Sequence, residues 1–168
     1  VVSLLHGALR RYCSSVGFVF GVPTPYVFDV SVYNIFSSLV VFSATCALMQ
    51  DGSSLVQGRV DERLTHVAAV PSILAAANLP HTIHHVQVGG EALTPAAVDA
   101  VGSCATLYSY YGPTEAAIWA TRKHVVRCEG ISRLLSLGRN LCNVTCQVAA
   151  PETGRMQPIG VWGELWIG

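Results

Sequence analysis

The chain has 168 residues, of which 51% are hydrophobic and 12% are charged. A composition this apolar supports a substantial buried core and excludes intrinsic disorder. Ten basic and ten acidic residues give a net charge of zero, so no global field would attract nucleic acid or an anionic membrane. No apolar run approaches the roughly 20 residues that a membrane-spanning helix needs.

The cysteines favour a reducing compartment. Several of them lie inside apolar stretches, where free cysteine behaves as a small buried side chain. The spacing of Cys142 and Cys146 could supply half a zinc site, but no second pair follows them. We therefore expect a cytoplasmic protein without structural zinc. The six residues are Cys13, Cys46, Cys104, Cys128, Cys142 and Cys146.

The first part of the chain predicts a strand, a helix and a second strand. Residues 16–22 form an apolar run that ends before Pro23, which predicts a buried strand and a turn. Asp29 is predicted to cap the helix that follows. Residues 45–49 predict the second strand, and a polar helix is predicted over residues 54–64.

The alternation of strands and helices continues to residue 110. Pro71 ends the next strand, Ser72 is predicted to cap an alanine-rich helix, and Thr94 precedes a helix with Pro95 in its first turn. Such alternation indicates an α/β fold in which a parallel sheet is covered by helices on both faces. The predicted strands are 66–70, 86–88 and 106–110, and the predicted helices are 73–78 and 95–101.

The sequence pattern changes after about residue 123. Helix signals fade, and short strand candidates appear at 145–149 and 164–167, separated by turn residues. We expect residues 1–123 to form part of an α/β sheet subdomain and residues 124–168 to form the start of a β-rich subdomain.

Four groups of residues follow predicted strands of the sheet. In open parallel sheets, ligands bind beyond the carboxyl ends of the strands, so these groups should meet at one rim. The groups are Phe28, Asp29 and Tyr33; Val70 and Pro71; Gly89, Gly90 and Glu91; and Tyr110 through Glu115.

These groups have chemical interpretations and simpler alternatives. Gly89-Gly90 would let the backbone approach a ligand closely, or would form an ordinary turn. The hydroxyl of Thr114 and the carboxylate of Glu115 suit phosphate and Mg²⁺ contacts, or would cap a helix after a tight turn. Asp29 and Tyr33 are four residues apart on one helical face, although helix capping would also explain Asp29.

The histidines do not form a complete catalytic or metal site in the sequence. His81, His84 and His85 resemble a metal cluster, but no Asp, Glu or Cys completes it nearby, so a solvated loop entering a strand at Val86 is preferred. His6 stands alone in an apolar stretch. The sequence contains neither a Gly-x-Ser-x-Gly elbow nor a Gly-x4-Gly-Lys-Ser/Thr phosphate loop.

Three ordered motifs resemble those of the adenylation domains of nonribosomal peptide synthetases. These domains belong to the adenylate-forming enzymes, which also include acyl-CoA ligases and luciferases. Phe28-Asp29-Val30-Ser31 resembles the Phe-Asp-x-Ser motif, residues 111–115 are an intact Tyr-Gly-Pro-Thr-Glu motif, and residues 163–168 resemble Gly-Glu-Leu-x-Ile. Gly89-Gly90-Glu91-Ala92 and Leu137-Gly138-Arg139 are weaker matches. The similarity spans the chain and implies part of the large N-terminal domain of these enzymes.

The resemblance implies roles for individual residues. Tyr111 would stack on adenine, and Thr114 and Glu115 would be the catalytic residues, contacting the α-phosphate and Mg²⁺ respectively. Asp29 would pair with the α-ammonium group of an amino acid. The nucleotide pocket would also include Gly89, Gly90, Glu91 and Gly112, and the remaining wall of the substrate pocket would be Val30, Tyr33, Ala68, Gln87, Gly89, Tyr110, Ile118 and Trp119.

Two positions depart from the family pattern. Ser109 stands where the family usually has an asparagine that contacts adenine, and its shorter side chain weakens that contact or admits a water. Asn140 stands where a proline usually follows the Gly-Arg pair. Neither departure changes the assignment.

The implied reaction is the ATP- and Mg²⁺-dependent formation of an aminoacyl adenylate, followed by transfer to phosphopantetheine on a carrier domain. The partners would be peptidyl carrier and condensation domains of the same megasynthase, with neither nucleic acid nor membrane involved. A buried Asp29 favours an α-amino acid, because an ammonium group would compensate its charge. We expect a small or medium substrate side chain, with a polar contact from Gln87.

The chain starts without Met, and its residues do not include the family's phosphate loop, ribose-binding aspartate or catalytic lysine. We therefore expect an internal fragment that is inactive alone. An acyl-CoA or aryl-acid ligase of the same superfamily is an alternative. A non-catalytic α/β scaffold domain or an unrelated α/β binding module is another.

Overall fold

The structure, a computed structural model, describes residues 2–9, 17–41, 43–102, 105–126 and 136–168. Seven strands in these ranges form one sheet. They are β1 (Val19–Val22), β2 (Thr45–Leu48), β3 (His66–Ala69), β4 (His85–Gly89), β5 (Thr106–Tyr111), β6 (Thr121–Val125) and β7 (Arg139–Asn140). Their order across the sheet is β2-β1-β3-β4-β5-β6-β7.

Short helices connect these strands. The helices are α1 (Val2–Leu9), α2 (Asp29–Phe36), α3 (Ser53–Val56), α4 (Pro71–Ala76) and α5 (Pro95–Ala100). A π-helical turn, Ser37–Val41, continues α2, and a 3₁₀ turn, Thr114–Ala116, follows β5. Strands β1 to β5 run parallel, whereas β6 and β7 run antiparallel to their neighbours. The carboxyl ends of β1 to β5 therefore meet at one edge.

Apolar side chains bury both faces of the sheet. One core cluster joins β3 and β4 to α3, α4 and α5, and a second joins β1 and β3 to α1 and α2. Successive strand residues point to opposite faces, so that Val67 contributes to the first cluster and Ala68 to the second. The predicted α/β sheet with helices on both faces is confirmed.

The starts of α2 and α4 differ from the prediction. Asp29 is the first helical residue of α2, and Phe28 holds the cap position without a side-chain hydrogen bond. In α4, Pro71 is the first helical residue, and Ser72 lies inside the first turn rather than capping it. Proline suits that first position because its φ is already helical and the missing N–H needs no partner there.

The polar helix predicted over residues 54–64 is wrong, because only the single turn α3 forms there. Gly58 adopts a φ of +65°, which interrupts a right-handed helix. The carboxylate of Asp61 accepts a hydrogen bond from the backbone N–H of Arg63 at 2.9 Å. A local turn of this kind competes with helical hydrogen bonding.

The other predicted elements are confirmed, with small differences at their ends. Thr94 caps α5, since its hydroxyl accepts a hydrogen bond from the backbone N–H of Ala97 at 3.3 Å. The two late strand candidates pair antiparallel as β8 (Cys146–Ala149) and β9 (Glu164–Ile167). Strand β6 crosses the predicted subdomain division at residue 123, and β7 also belongs to the large sheet. That division stays a prediction.

His85 lies in the sheet and not in the predicted solvated loop. It is the first residue of β4, and its ring stacks on His66 with 4.8 Å between centroids and on Tyr108 with 6.3 Å. His81 and His84 are exposed ahead of the strand. The described ranges contain no group of three or more His, Cys, Asp or Glu side chains placed to hold a metal ion.

The described cysteines, Cys46, Cys142 and Cys146, are reduced and partly buried. The predictions for Cys13, Cys104 and Cys128 fall outside the described residues. Within the described ranges, every helix is too short or too polar to cross a membrane.

Candidate functional site

A cavity of about 600 Å³ lies at the edge where the parallel strands end. Residues from all four predicted groups line it: Phe28 and Asp29, Val70, Gly89 to Glu91, and Gly112 to Thr114. The other members of those groups, Tyr33, Pro71, Tyr110, Tyr111 and Glu115, do not line it. The topology thus brings together segments that are far apart in sequence, as the carboxyl-edge rule predicts.

The predicted substrate pocket divides into an inner lining and a supporting layer. The lining residues are Asp29, Val30, Ala68, Gln87, Gly89, Ile118 and Trp119. Behind them, Tyr33 and Tyr110 are 2% and 4% exposed and pack in one cluster with Trp119. The ring centroids are 6.5 Å apart between Tyr33 and Tyr110 and 5.5 Å apart between Tyr110 and Trp119. The two tyrosines therefore hold the wall without reaching the cavity.

Asp29 lines this cavity from the first turn of α2. Its Oδ2 atom is buried and has no hydrogen-bond partner among the described residues. The residue as a whole is half-buried, but an unpaired buried carboxylate oxygen is costly, and a nearby cation would reduce that cost. Asp29 therefore favours a ligand with a positively charged group.

Gly89 and Gly90 let the chain pass close to the cavity at the end of β4. A Cβ atom on Gly89 would lie 2.6 Å from Cη2 of Trp119, so no side chain fits there. Gly90 has a φ of +86°, a conformation that other residues rarely adopt. The packing of Trp119 thus explains the glycine at 89, and both glycines line the cavity, where their contact with a ligand stays a prediction.

Glu91 is engaged with the start of α4. Its Oε2 atom accepts a hydrogen bond from the backbone N–H of Ser72 at 3.0 Å, and its Oε1 accepts one from the Ser72 hydroxyl at 3.0 Å. The side chain of Glu91 thus satisfies a first-turn N–H that would otherwise have no helical partner. This contact fixes the Gly89–Glu91 segment against α4, and the sequence interpretation missed it.

The segment after β5 makes a tight, strained turn at the rim. A Cβ atom on Gly112 would lie 2.6 Å from both the backbone N of Ala120 and the carbonyl O of Ile118. Ala117 and Ile118 adopt φ values of +59° and +80°. Positive φ in a β-branched residue is rare and is found mostly where the surrounding structure holds it at a functional site.

This turn places a hydroxyl and a carboxylate side by side at the mouth of the cavity. Thr114 lines the cavity, and both Thr114 and Glu115 are exposed in the 3₁₀ turn. Tyr111, just before them, is 39% exposed at the end of β5. An accessible hydroxyl and carboxylate are the donor and acceptor types that a phosphate and Mg²⁺ require, so these residues fit a Mg²⁺–nucleotide ligand.

Several lining residues were not predicted. Thr24 and Asp51 follow β1 and β2, where the carboxyl-edge rule applied to every strand would have found them. Asn34 lies one helical turn after Val30, and the i, i+4 spacing on α2 was the available signal. It is completely buried, and both polar atoms of its side chain have no hydrogen-bond partner in the described structure.

Comparison with known proteins supports one family. The model of the AMP-binding enzyme family matches residues 2–168. Phosphinothricin tripeptide synthetase PhsB of Streptomyces viridochromogenes is 34% identical over 181 residues, which cover 100% of this chain and 15% of PhsB. Nonribosomal peptide synthetase sidE of Aspergillus fumigatus is 32% identical over 145 residues, which cover 83% of this chain and 7% of that protein. The chain thus spans a small part of these relatives.

Solved structures share the fold at lower identity. One is O-succinylbenzoate coenzyme A synthetase (MenE) from Bacillus subtilis, in complex with ATP and magnesium ion, with a TM-score of 0.78 at 16% identity. The match covers 97% of this chain and 35% of the MenE chain. The four-domain nonribosomal peptide synthetase AB3403, bound to AMP and glycine, has a TM-score of 0.78 at 24% identity. The match covers 99% of this chain and 13% of the AB3403 chain. At these identities the likeness establishes the fold.

Proposed function

Because the chain belongs to the family of AMP-binding enzymes, we propose that it is the part of a peptide synthetase adenylation domain that binds an α-amino acid beside ATP. One observation carries the proposal: Asp29, whose buried Oδ2 atom has no hydrogen-bond partner among the described residues, lines the same cavity as the exposed residue Thr114. A carboxylate that would bind a cation and a hydroxyl that would bind a phosphate therefore belong to residues of one cavity. The ammonium group of an α-amino acid and the phosphates of ATP are the matching ligand groups.

In the proposed reaction, a carboxylate oxygen of the amino acid attacks the α-phosphorus of ATP. A phosphorus–oxygen bond forms as the bond from the α-phosphorus to the β-phosphate's bridging oxygen breaks. The products are the aminoacyl adenylate and pyrophosphate, and no proton needs to be removed from the attacking group. The main requirement on the protein is to hold the two substrates close and aligned.

Asp29 would orient the amino acid. An ion pair between its carboxylate and the α-ammonium group fixes one end of the substrate and leaves the substrate's own carboxylate free to react. Because Asp29 starts α2 and the π-helical turn lengthens that helix, its position is set by a rigid element. Because the Oδ2 atom is already shielded from water, the attraction in such an ion pair would be stronger than at an exposed site.

The rim residues would position the nucleotide. Tyr111 is exposed at the end of β5 and would stack on adenine, while the backbone of Gly89 and Gly90 would line the pocket. The hydroxyl of Thr114 would donate to an α-phosphate oxygen, and Glu115 would hold Mg²⁺. When bound, Mg²⁺ would offset negative charge on the phosphates.

We further propose that the acyl group passes to a phosphopantetheine thiol on a carrier domain, with carrier and condensation domains as partners. Support comes from the relatives, which are peptide synthetases far longer than this chain. An acyl-CoA or aryl-acid ligase is the second candidate, and MenE shares the fold. The unpartnered carboxylate of Asp29 argues against it, because such acids carry no ammonium group.

The proposal is tested by ATP–pyrophosphate exchange and ATP binding in the complete domain. We expect exchange that depends on an added amino acid, and ATP binding that weakens in both Glu115→Gln and Tyr111→Ala. Glu152→Gln is the matched control, because Glu152 is exposed in a turn away from the cavity. If the unmodified domain showed neither ATP binding nor exchange, that result would support a non-catalytic scaffold instead.

A further inference from the structure

Three side chains that line the cavity have buried polar atoms without a hydrogen-bond partner in the described structure. The atoms are Oδ2 of Asp29, both amide atoms of Asn34, and Nε1 of Trp119. The proposed function uses only the first. Since buried polar groups are nearly always hydrogen-bonded, the amide and the indole N–H point to a further polar group on the ligand.

Asn34 is among the residues that line the cavity, and it belongs to α2. Its exposed fraction is 0%, and its main-chain carbonyl already accepts a hydrogen bond from the Ser37 hydroxyl at 3.2 Å. The side-chain amide offers two N–H donors and one oxygen acceptor. A buried amide with all of these groups unpaired is costly.

Trp119 contributes one donor from the segment between β5 and β6. The residue is 6% exposed, and its ring is held between Tyr110 and the bare backbone of Gly89. Its Nε1–H can only donate. The unpartnered atoms of Asn34 and Trp119 therefore comprise donors from two elements and one acceptor, the Oδ1 of Asn34.

We infer that Asn34 determines specificity by recognising, together with Trp119, an uncharged group on the amino acid side chain that both donates and accepts hydrogen bonds. A carboxamide or a hydroxyl has that chemistry. This inference rests on the proposed function, which supplies the amino acid.

Other side-chain classes leave cavity groups unpaired. A carboxylate can accept from the N–H groups of Asn34 and Trp119, but it has no proton to donate and leaves the Oδ1 of Asn34 unpaired. An ammonium group only donates, and it would leave the amide N–H groups and the Trp119 N–H open. An apolar side chain satisfies none of them. A site with buried hydrogen-bonding groups discriminates strongly against substrates that cannot pair with those groups.

The test is kcat/KM for ATP–pyrophosphate exchange in the complete domain with side chains matched in shape. Threonine is compared with valine, and asparagine with leucine and aspartate. We expect the unmodified domain to favour at least one carboxamide or hydroxyl substrate over its matched partners by about tenfold or more. Asn34→Leu should reduce that ratio to within about threefold, while exchange with apolar substrates persists.

Asn78→Leu is the matched control, because Asn78 is exposed and outside the cavity, and it should keep the ratio. Thermal unfolding shows whether Asn34→Leu is folded. If Asn34→Leu does not fold, Trp119→Phe replaces it, because this variant keeps an aromatic ring and removes the N–H donor. Trp119→Phe must then show the reduced ratio of kcat/KM between the polar substrate and its matched partner. An apolar or charged preference in the unmodified domain, or an unchanged ratio in the folded variant, overturns the inference and leaves the proposed function intact. If no amino acid supports exchange, both this inference and the proposed function are overturned.

Discussion

The ring of Trp119 lies directly against the backbone of Gly89 and leaves no space for a side chain there. A Cβ atom at Gly89 would be 2.6 Å from Cη2 and 2.8 Å from Cζ3 of that ring, and 2.7 Å from the carbonyl oxygen of Tyr110. The pair joins β4 to the turn after β5 at the cavity wall. The width of the pocket therefore depends on glycine at this one position.

Gly89→Ala should destabilise the protein and alter its pocket. The added methyl group must displace the Trp119 ring or the backbone of β5, and overpacking of this kind costs about 1–3 kcal/mol. Gly21→Ala is a matched control in β1, where the added Cβ would lie 3.2 Å from the flexible Leu64 side chain. Urea unfolding of both variants checks the prediction, and equal losses of stability would contradict it.

Removing the contact between Glu91 and Ser72 should loosen the start of α4. Glu91→Ala removes both hydrogen bonds at 3.0 Å, and we expect a loss of about 1 kcal/mol, the usual effect of deleting a helix cap. Ser72→Ala removes one of the two. A double-mutant cycle by chemical denaturation should show that the effects are not additive. Simple additivity would mean that the two residues do not interact in solution.

Stability should fall as the pH drops from about 6.5 to about 4, because of His66. Its side chain is 3% exposed, and burial, with repulsion from His85 and His84, lowers its pKa from 6.5 to about 4. Between these two pH values the unfolded state binds a proton that the folded state does not. The contribution of His66 to the free energy of unfolding is therefore fully present above pH 6.5 and is lost as the pH falls to about 4. The full loss is roughly 3 kcal/mol.

The variant His66→Phe should flatten this part of the pH profile, since phenylalanine keeps an aromatic ring between Phe20 and His85 without titrating. His81→Ala, at an exposed histidine, should leave the profile unchanged. Urea midpoints measured at several pH values between 4 and 7 provide the check. If His66→Phe has the same slope as the unmodified protein, His66 is not the group responsible.

The sheet could be predicted because its strands are short apolar runs that end in Pro or Gly, as at Pro23 and Gly89. The helix over residues 54–64 could not, because its polar composition conceals the local turn that Asp61 makes with Arg63. Helix starts were also uncertain by one residue. Asp29 suits a cap position and a first-turn position equally well, and only the backbone conformation distinguishes them.

The rim of the site was predictable from strand ends, whereas part of its interior was not. Asn34 stands beside Tyr33 in sequence, but only the structure shows that Asn34 belongs to the cavity lining and Tyr33 does not. The supporting position of Tyr110 behind Trp119 likewise depends on packing across the turn after β5. Contacts between side chains distant in sequence, such as Ser72 with Glu91, leave no periodic signal.

The central claim is that the carboxylate of Asp29 binds the α-ammonium group of an amino acid that is activated with ATP. The most direct measurement compares pyrophosphate exchange by the complete domain with an accepted amino acid and with the same acid lacking its α-amino group. We predict that Asp29→Ala lowers kcat/KM for the amino acid by at least about tenfold and leaves the des-amino acid unaffected or improved, while Asp99→Ala, at an exposed residue of α5, changes neither. Unchanged amino-acid-dependent exchange in Asp29→Ala would contradict the account.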